Sequence, residues 1–139
     1  MSGDYTIHRT VLDQLISKIR PGKVMLILGP RRAGKSHLLS AYVAQTKEQY
    51  IFLNGEDDAV GRLIGTRTFT NYANLIGDNK LLIIDEAQKI QGIGPALKFL
   101  VDSFPDLKII ATGSSMFDLD QKLGEPLTGR QMVFNLFPF

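Results

Sequence analysis

The stretch "LILGPRRAGKS", residues 26–36, decides the fold of this chain. An apolar run leads into a glycine-bearing loop, and apolar residues then recur at helical spacing in "SHLLSAYVAQ", residues 36–45. Residues 29–36 match the pattern G-x-x-x-x-G-K-[ST], whose backbone N–H groups bind phosphate when a strand precedes the loop and a helix follows it. Both conditions are met, so the stretch predicts a phosphate-binding loop in an α/β domain.

The residue types in this loop suit phosphate binding for separate physical reasons. Gly29 and Gly34 permit backbone turns that side chains would block. Lys35 brings a positive charge to the β- and γ-phosphates, and the Ser36 hydroxyl is an oxygen ligand of the kind that Mg²⁺ prefers. The loop's two arginines could contact a phosphate or a neighbouring subunit, or remain solvated at the loop tip. The residues predicted to bind the nucleotide are Gly29, Pro30, Arg31, Arg32, Ala33, Gly34, Lys35, Ser36 and His37.

Composition bounds the class of protein. The 139 residues fit one domain, and 44% hydrophobic with 22% charged residues is an ordinary globular composition. The sequence has no cysteine, which excludes disulfides and fits a cytoplasmic protein. No apolar run approaches the roughly 20 residues that cross a bilayer, so we expect no membrane association. The net charge of +2 is too small to indicate nucleic-acid binding by itself.

The rest of the chain alternates between predicted strands and helices. Strands are predicted at residues 23–28, 50–53, 81–85, 107–112 and 131–136. Helices are predicted at residues 9–19, 36–45, 60–64, 69–76, 95–104 and 114–119. The first strand is continuously apolar, which is typical of a strand buried on both faces. Such alternation indicates an α/β domain with a mainly parallel sheet.

An acidic pair ends the third predicted strand in "LLIIDEAQKI", residues 81–90. Parallel α/β sheets bind ligands beyond the carboxyl ends of their strands, so this pair and the phosphate loop belong to the same edge. Asp85 is predicted to hold Mg²⁺ directly or through its water shell, and Glu86 to orient the water that attacks the γ-phosphate. The alternative, two surface acids that merely terminate a strand, does not explain their position after the phosphate loop.

Polar residues also mark the fourth and fifth strands. Thr112, Ser114 and Ser115 end the fourth strand, where one of them could reach the γ-phosphate or the attacking water. Ser114 or Ser115 could equally cap a following helix. Arg130 directly precedes the fifth strand and could stabilise phosphoryl charge, in its own subunit or across an interface, or could be a solvated surface arginine.

With these motifs, the sequence resembles AAA+ type P-loop ATPases. More narrowly, it resembles the N-terminal ATPase domain of a bacterial and archaeal family of predicted ATPases, in which a domain of uncertain function usually follows. The resemblance rests on "LILGPRRAGKS", "LLIIDEAQKI", "LKFLVDSFPDLKIIATGSS" and "LTGR…FNLFPF", in family order over most of residues 9–139. It implies a three-layer P-loop NTPase fold, with a five-stranded, mainly parallel sheet in the order 5-1-4-3-2 and helices on both faces.

The resemblance also implies roles for individual residues. Lys35 and Ser36 fall at the Walker A positions, and Asp85 and Glu86 fall at the Walker B positions. Ser114, with its neighbour as the other candidate, falls at or beside the position of the polar sensor residue.

Other positions correspond less closely to the family. Arg130 falls near the position of an arginine finger, and Tyr5 and Ile7 precede the first helix where AAA+ proteins contact the base. The family often carries an aspartate soon after the second strand. Here the acidic stretch "NGEDD" is shifted, so Asp57 and Asp58 are assigned no role.

The resemblance implies Mg²⁺-dependent hydrolysis of ATP, with ATP and Mg²⁺ as cofactors, coupled to conformational change in further domains. AAA+ modules usually carry a helical lid after the fifth strand, whereas this chain stops at the apolar "FNLFPF". We therefore expect residues 1–139 to be an N-terminal fragment that hydrolyses ATP weakly by itself. Expected partners are ATP or ADP, C-terminal domains and a homo-oligomeric neighbour. DNA is an open partner of the full-length protein but is unsupported by a basic stripe here.

Two other functions use the same motifs. In a nucleotide-gated switch or scaffold, bound ATP or ADP sets an interaction state and hydrolysis is slow. In a small-molecule kinase, the phosphate loop serves transfer to an acceptor. The kinase interpretation requires an acceptor-binding region and a lid within the chain, and the adjacent acids and polar end of the fourth strand also disfavour it.

Overall fold

The computed structural model describes residues 2–30, 34–114 and 127–136, with side chains from residue 9 onward in these ranges. Its strands are β1 Val24–Leu28, β2 Tyr50–Asn54, β3 Leu81–Asp85, β4 Lys108–Gly113 and β5 Gln131–Asn135. Its α-helices are α1 Ser2–Lys18, α2 Lys35–Gln45, α3 Asp58–Gly65, α4 Phe69–Ile76 and α5 Ile93–Ser103, and a 3₁₀ turn spans Ala87–Lys89. None of the helices in these ranges is long and apolar enough to cross a membrane.

The strands form one parallel sheet in the order β2-β3-β4-β1-β5. This is the predicted order 5-1-4-3-2 counted from the opposite side, so the predicted fold class is confirmed. In the register of the sheet, Leu28 of β1 lies opposite Gly113 of β4 and Asn135 of β5, and Asn54 of β2 lies opposite Asp85 of β3. The residues that follow these strands therefore meet at one edge of the sheet, which we call the carboxyl edge.

Helices cover both faces of the sheet. All five residues of β1 are buried, as expected for a strand between two helical layers. On one face, Met25 and Ile27 join a buried cluster that includes Leu15 of α1 and Leu38 of α2. On the other face, Leu26 belongs to a larger cluster that includes residues of α3, α4 and α5. Packing between the two helical layers holds β1 in place, and therefore also the start of the phosphate loop.

Strand β2 is an edge strand and is less buried than its neighbours. Ile51 and Leu53 pack against the cluster that includes α3 and α5, whereas Tyr50 and Phe52 are 40% and 46% exposed. The alternation is that of a strand covered fully on only one face. The two aromatic rings consequently stand beside α2 at the margin of the sheet.

Two helices begin earlier than predicted. Helix α1 begins at Ser2 rather than near residue 9, because the apolar pattern marks only the part of the helix that packs on the sheet, around Leu15. Helix α5 begins at Ile93 rather than Pro95, which places the proline in the first turn, where its missing N–H costs no hydrogen bond. The helix predicted at residues 114–119 lies, beyond Ser114, outside the described residues.

The acidic stretch after β2 serves the fold. The Asp57 side chain accepts a hydrogen bond of 2.9 Å from the Ala59 N–H and so caps α3. Asp57, to which the sequence assigns no role in the site, therefore has a structural role at the start of α3.

Candidate functional site

The phosphate loop begins where β1 reaches the carboxyl edge. The Gly29 N–H donates to the Gly113 carbonyl at 3.3 Å, which ties the end of β1 to the end of β4. A Cβ atom on Gly29 would lie 2.1 Å from the carbonyl oxygen of Leu136, so the close approach of the segment after β5 requires glycine. Gly34 then has φ 94°, the left-handed conformation that starts α2. Glycine is therefore needed at both ends of the loop, for different reasons.

Not every predicted loop residue is described. Pro30, within the loop, and His37, directly after it, are both exposed. Arg31, Arg32 and Ala33 lie outside the described residues, as do Ser115 and the side chains of Tyr5 and Ile7. Their predicted contacts with a phosphate, a neighbouring subunit or the base remain predictions.

Lys35 is the most deeply buried charged residue of the site, with 3% of its surface exposed. Its Nζ donates to the carbonyl oxygens of Gly29 and Gly113, both at 2.8 Å. The same Nζ lies 3.9 Å from Oε1 of Glu86. A buried ammonium is tolerated only when such oxygens surround it, so the strand ends and the acid together hold a positive charge at the carboxyl edge.

The acidic pair takes an unusual backbone conformation. Asp85 is the last residue of β3, and Glu86 has φ 51° and ψ 49°, the left-handed region that glutamate rarely occupies. This bend leads the chain directly into the 3₁₀ turn Ala87–Lys89. The two adjacent carboxylates are thereby given different surroundings. Asp85 is half-buried, whereas Glu86 is only 9% exposed.

Thr112 links the two acids. Its hydroxyl donates to Oδ1 of Asp85 at 2.5 Å and accepts from the Glu86 N–H at 2.9 Å, and the residue is completely buried. Thr112 is one of the three candidates for a contact with the γ-phosphate or the attacking water, and in this structure its hydroxyl is hydrogen-bonded to the two acids. Of the other two, Ser114 is described, and its Oγ donates to Oε2 of Glu86 at 3.0 Å.

Gln88 is a site residue that the sequence reasoning missed. Its Nε2 donates to Oε2 of Glu86 at 2.7 Å and to Oγ of Ser114 at 3.2 Å. Its Oε1 is buried without a hydrogen-bond partner among the described residues. The residue stands in the quoted motif "DEAQ", two positions after Glu86. A buried carboxylate needs hydrogen-bond donors, so an amide side chain two residues after Glu86 could have indicated that Gln88 belongs to the site.

The two predicted magnesium ligands lie beside one cavity. Ser36 and Asp85 both line a cavity of about 210 Å³ between α2 and the edge strand, together with Leu39, Ser40, Val43, Tyr50 and Phe52. Within the described ranges, no group of three or more His, Cys, Asp or Glu side chains could hold a metal. One hydroxyl and one carboxylate fit Mg²⁺, which is usually held by one or two protein oxygens together with phosphate oxygens and water.

Arg130 does not lie with these residues. Its carbonyl accepts from the Val24 N–H at the start of β1, and its Nε donates to Oδ1 of Asp102 at 2.8 Å. The length of β5, on the order of 16 Å for five residues, separates Arg130 from the carboxyl edge. The structure therefore does not bring Arg130 to the site of its own subunit, and a role across an interface remains a prediction.

The geometry places a buried ammonium, two acids and a glycine-bounded loop at one sheet edge. A family model described as "AAA domain" matches residues 21–139 of the chain. The chain belongs to the AAA domain family. The match includes the loop, the acidic pair, Thr112, Ser114 and Arg130, whereas Tyr5 and Ile7 precede it.

The AAA domain has relatives in mycobacteria whose names assign no function. It is 35% identical over 130 residues to "Uncharacterized protein Rv2008c" of Mycobacterium tuberculosis and equally to "Uncharacterized protein Mb2031c" of Mycobacterium bovis. These alignments cover 93% of this chain but 28% of each relative. The chain thus spans less than a third of the length of the curated relatives it matches.

Solved structures with the same fold include two of the replication initiator DnaA. One is bound to AMPPCP and single-stranded DNA, with a TM-score of 0.63 and coverage of 91% of this chain and 44% of that chain. The other is AMPPCP-bound DnaA from Aquifex aeolicus, with a TM-score of 0.62 and coverage of 96% and 45%. Both are 18% identical to this AAA domain, so the likeness establishes a P-loop nucleotide-binding fold.

Gly55 offers a test of how tightly the turn after β2 packs on the acidic pair. In this AAA domain the Gly55 N–H donates to the Asp85 carbonyl at 2.7 Å, and an added Cβ would lie 2.2 Å from the Glu86 carbonyl oxygen. We expect Gly55→Ala to lower the free energy of unfolding in urea by about 1–3 kcal/mol, because backbone atoms would have to move.

Gly61→Ala is the matched control. Gly61 lies in α3, and an added Cβ there would meet no atom within 4 Å. This change should raise the free energy of unfolding by up to about 1 kcal/mol, because alanine favours helix. Equal effects of the two substitutions would contradict the close packing inferred at Gly55.

Proposed function

We propose that this AAA domain binds ATP together with Mg²⁺ and hydrolyses the γ-phosphate, with the energy coupled to conformational change in further domains of the protein. The observation that carries the proposal is the convergence of Lys35, Asp85 and Glu86 at the carboxyl edge, where hydrogen bonds hold all three side chains. Family membership and the likeness to AMPPCP-bound structures support the nucleotide as the ligand.

Lys35 and the loop would bind the phosphates. The Lys35 ammonium, now hydrogen-bonded to two carbonyl oxygens, would pair with β- and γ-phosphate oxygens, which are stronger acceptors. Ser36 and Asp85 would hold Mg²⁺ at the cavity they share. When bound, the ion neutralises charge that develops on the phosphate oxygens during transfer.

Glu86 would orient the attacking water and accept its proton. Gln88 and Ser114 both donate to Oε2 of Glu86, so the carboxylate is held in one orientation. Its other oxygen, Oε1, lies 3.9 Å from Nζ of Lys35, the group that would bind the phosphates. A carboxylate held this way is pre-organised for general base catalysis, which contributes about 10²–10⁴-fold to rate.

The proposal is tested by equilibrium binding and turnover. Titration of the purified protein with a fluorescent ATP analogue, with Mg²⁺ or with EDTA, should show saturable binding that Mg²⁺ strengthens. Phosphate release at saturating ATP should then reveal turnover that requires Mg²⁺. Failure to bind nucleotide at millimolar concentrations would overturn the proposal.

A nucleotide-gated switch is the second candidate, and the position of Arg130 favours it. This arginine is paired with Asp102 at the amino end of β5, so it would supply no charge to phosphates bound at the carboxyl edge of its own subunit. A single subunit would then bind ATP but hydrolyse it slowly. Turnover far below the usual enzyme range of roughly 1–10³ s⁻¹, in the presence and absence of DNA, would favour the switch over the ATPase.

A further inference from the structure

No step of the proposed reaction uses the hydroxyl of Thr112. It lies between Asp85 and Glu86, it is completely buried, and it is hydrogen-bonded to both residues. The surrounding strand is apolar, since Ile110 and Ala111 precede it and are buried. A valine has nearly the same shape and would suit the same strand, so packing alone does not explain the presence of a hydroxyl at this position.

The number of hydrogen bonds that a hydroxyl can donate and accept determines its role here. It has one proton, and that proton is donated to Oδ1 of Asp85, because the Glu86 N–H can only donate. The carboxylate of Asp85 is therefore held through Oδ1, so Oδ2 is the oxygen that this hydrogen bond leaves for a cation or its water. The hydroxyl oxygen in turn satisfies the Glu86 N–H at the point where the backbone enters the left-handed region.

One side chain thus aligns both acids. The bond to Asp85 sets the orientation of a carboxylate, and the bond to Glu86 holds the backbone from which the second carboxylate extends. Groups that donate hydrogen bonds to metal-binding carboxylates commonly tune metal affinity. Removing the hydroxyl would also remove the hydrogen bond that the buried Glu86 N–H donates to it, which destabilises this part of the backbone.

We propose that Thr112 is a positioning residue that orients Asp85 for Mg²⁺ and holds the backbone of Glu86, and that it does not contact phosphate. This inference rests on the proposed nucleotide site. Its measurable consequence is a change in the response of nucleotide binding to Mg²⁺, which is separate from turnover.

The test is a Mg²⁺ titration of the binding of a fluorescent ATP analogue to the purified protein. Thr112→Val removes the hydroxyl and preserves shape, and we expect it to raise the Mg²⁺ concentration at half-maximal response by about tenfold. Affinity measured in EDTA should change by less than about twofold, because the phosphate contacts remain. Thr112→Ser keeps the hydroxyl and should restore most of the Mg²⁺ response.

Two comparisons separate positioning from stability. Ile110→Val loses a buried methylene in the same strand and should lower stability without moving the Mg²⁺ midpoint. If Thr112→Val does not fold, the pair Thr112→Ser and Thr112→Ala decides, since they differ only by the hydroxyl. An unshifted Mg²⁺ midpoint in a folded variant without the hydroxyl would overturn the role of Thr112 and leave the proposed function intact. Absence of nucleotide binding by the unmodified protein would overturn both.

Discussion

Replacement of Lys35 by methionine is expected to weaken ATP binding on the order of 100-fold, because the phosphates would lose a buried, pre-positioned cation. The ammonium is held by two carbonyl oxygens and lies near Glu86, so it has little freedom to lose when phosphates arrive. Equilibrium titration with a fluorescent ATP analogue measures the effect directly.

The same substitution should also lower stability, which must be measured alongside. Removal of Lys35 leaves the Gly29 and Gly113 carbonyls without these hydrogen bonds and leaves Glu86 without its nearby cation. Lys98→Met is the control, since Lys98 is an exposed residue of α5. If the folded Lys35→Met protein binds ATP as tightly as the control, the ammonium has no part in phosphate binding.

The second large effect is expected for Glu86→Gln. Glutamine has the same shape and can still accept hydrogen bonds from Gln88 and Ser114, so ATP binding should remain within about threefold. Turnover should fall by about 10²–10⁴-fold, because an amide cannot accept the proton of the attacking water. Phosphate release at saturating Mg²⁺ and ATP gives the rate, and the same preparation gives the affinity.

Glu48→Gln provides the comparison for Glu86→Gln. Glu48 forms an ion pair of 2.7 Å with Lys108 at the start of β4, away from the carboxyl edge, and both side chains are partly exposed. Its neutralisation should leave turnover unchanged. Undiminished turnover in Glu86→Gln would remove Glu86 from the role of base and assign the activation of water to another group.

The fold could be predicted because its determinants are local and repetitive. Apolar runs such as residues 81–84 mark strands buried between two layers, and the predicted strand ends differ from the observed ones by one residue at most. The order of the strands came from the family resemblance. In the first turns of α1, apolar residues do not recur at helical spacing, so the sequence did not predict that the helix begins at Ser2.

The candidate site could be predicted only in part. Lys35 and the acidic pair both follow the carboxyl ends of parallel strands, and this rule was enough to predict that they lie at the same edge of the sheet. The same rule, applied to Arg130 at the amino end of β5, would have placed it at the far edge. The roles of Thr112 and Gln88 depend on side-chain directions around the left-handed Glu86, and no one-dimensional pattern contains those directions.

The close approaches at Gly29 and Gly55 have a consequence for mutational tolerance. Neither residue has a positive φ, so asparagine, which often replaces glycine in left-handed turns, gains nothing there. What excludes every side chain is a main-chain oxygen where the Cβ atom would lie, belonging to Leu136 in one case and Glu86 in the other. A mutant library of the carboxyl edge should therefore keep glycine at both positions and vary other residues.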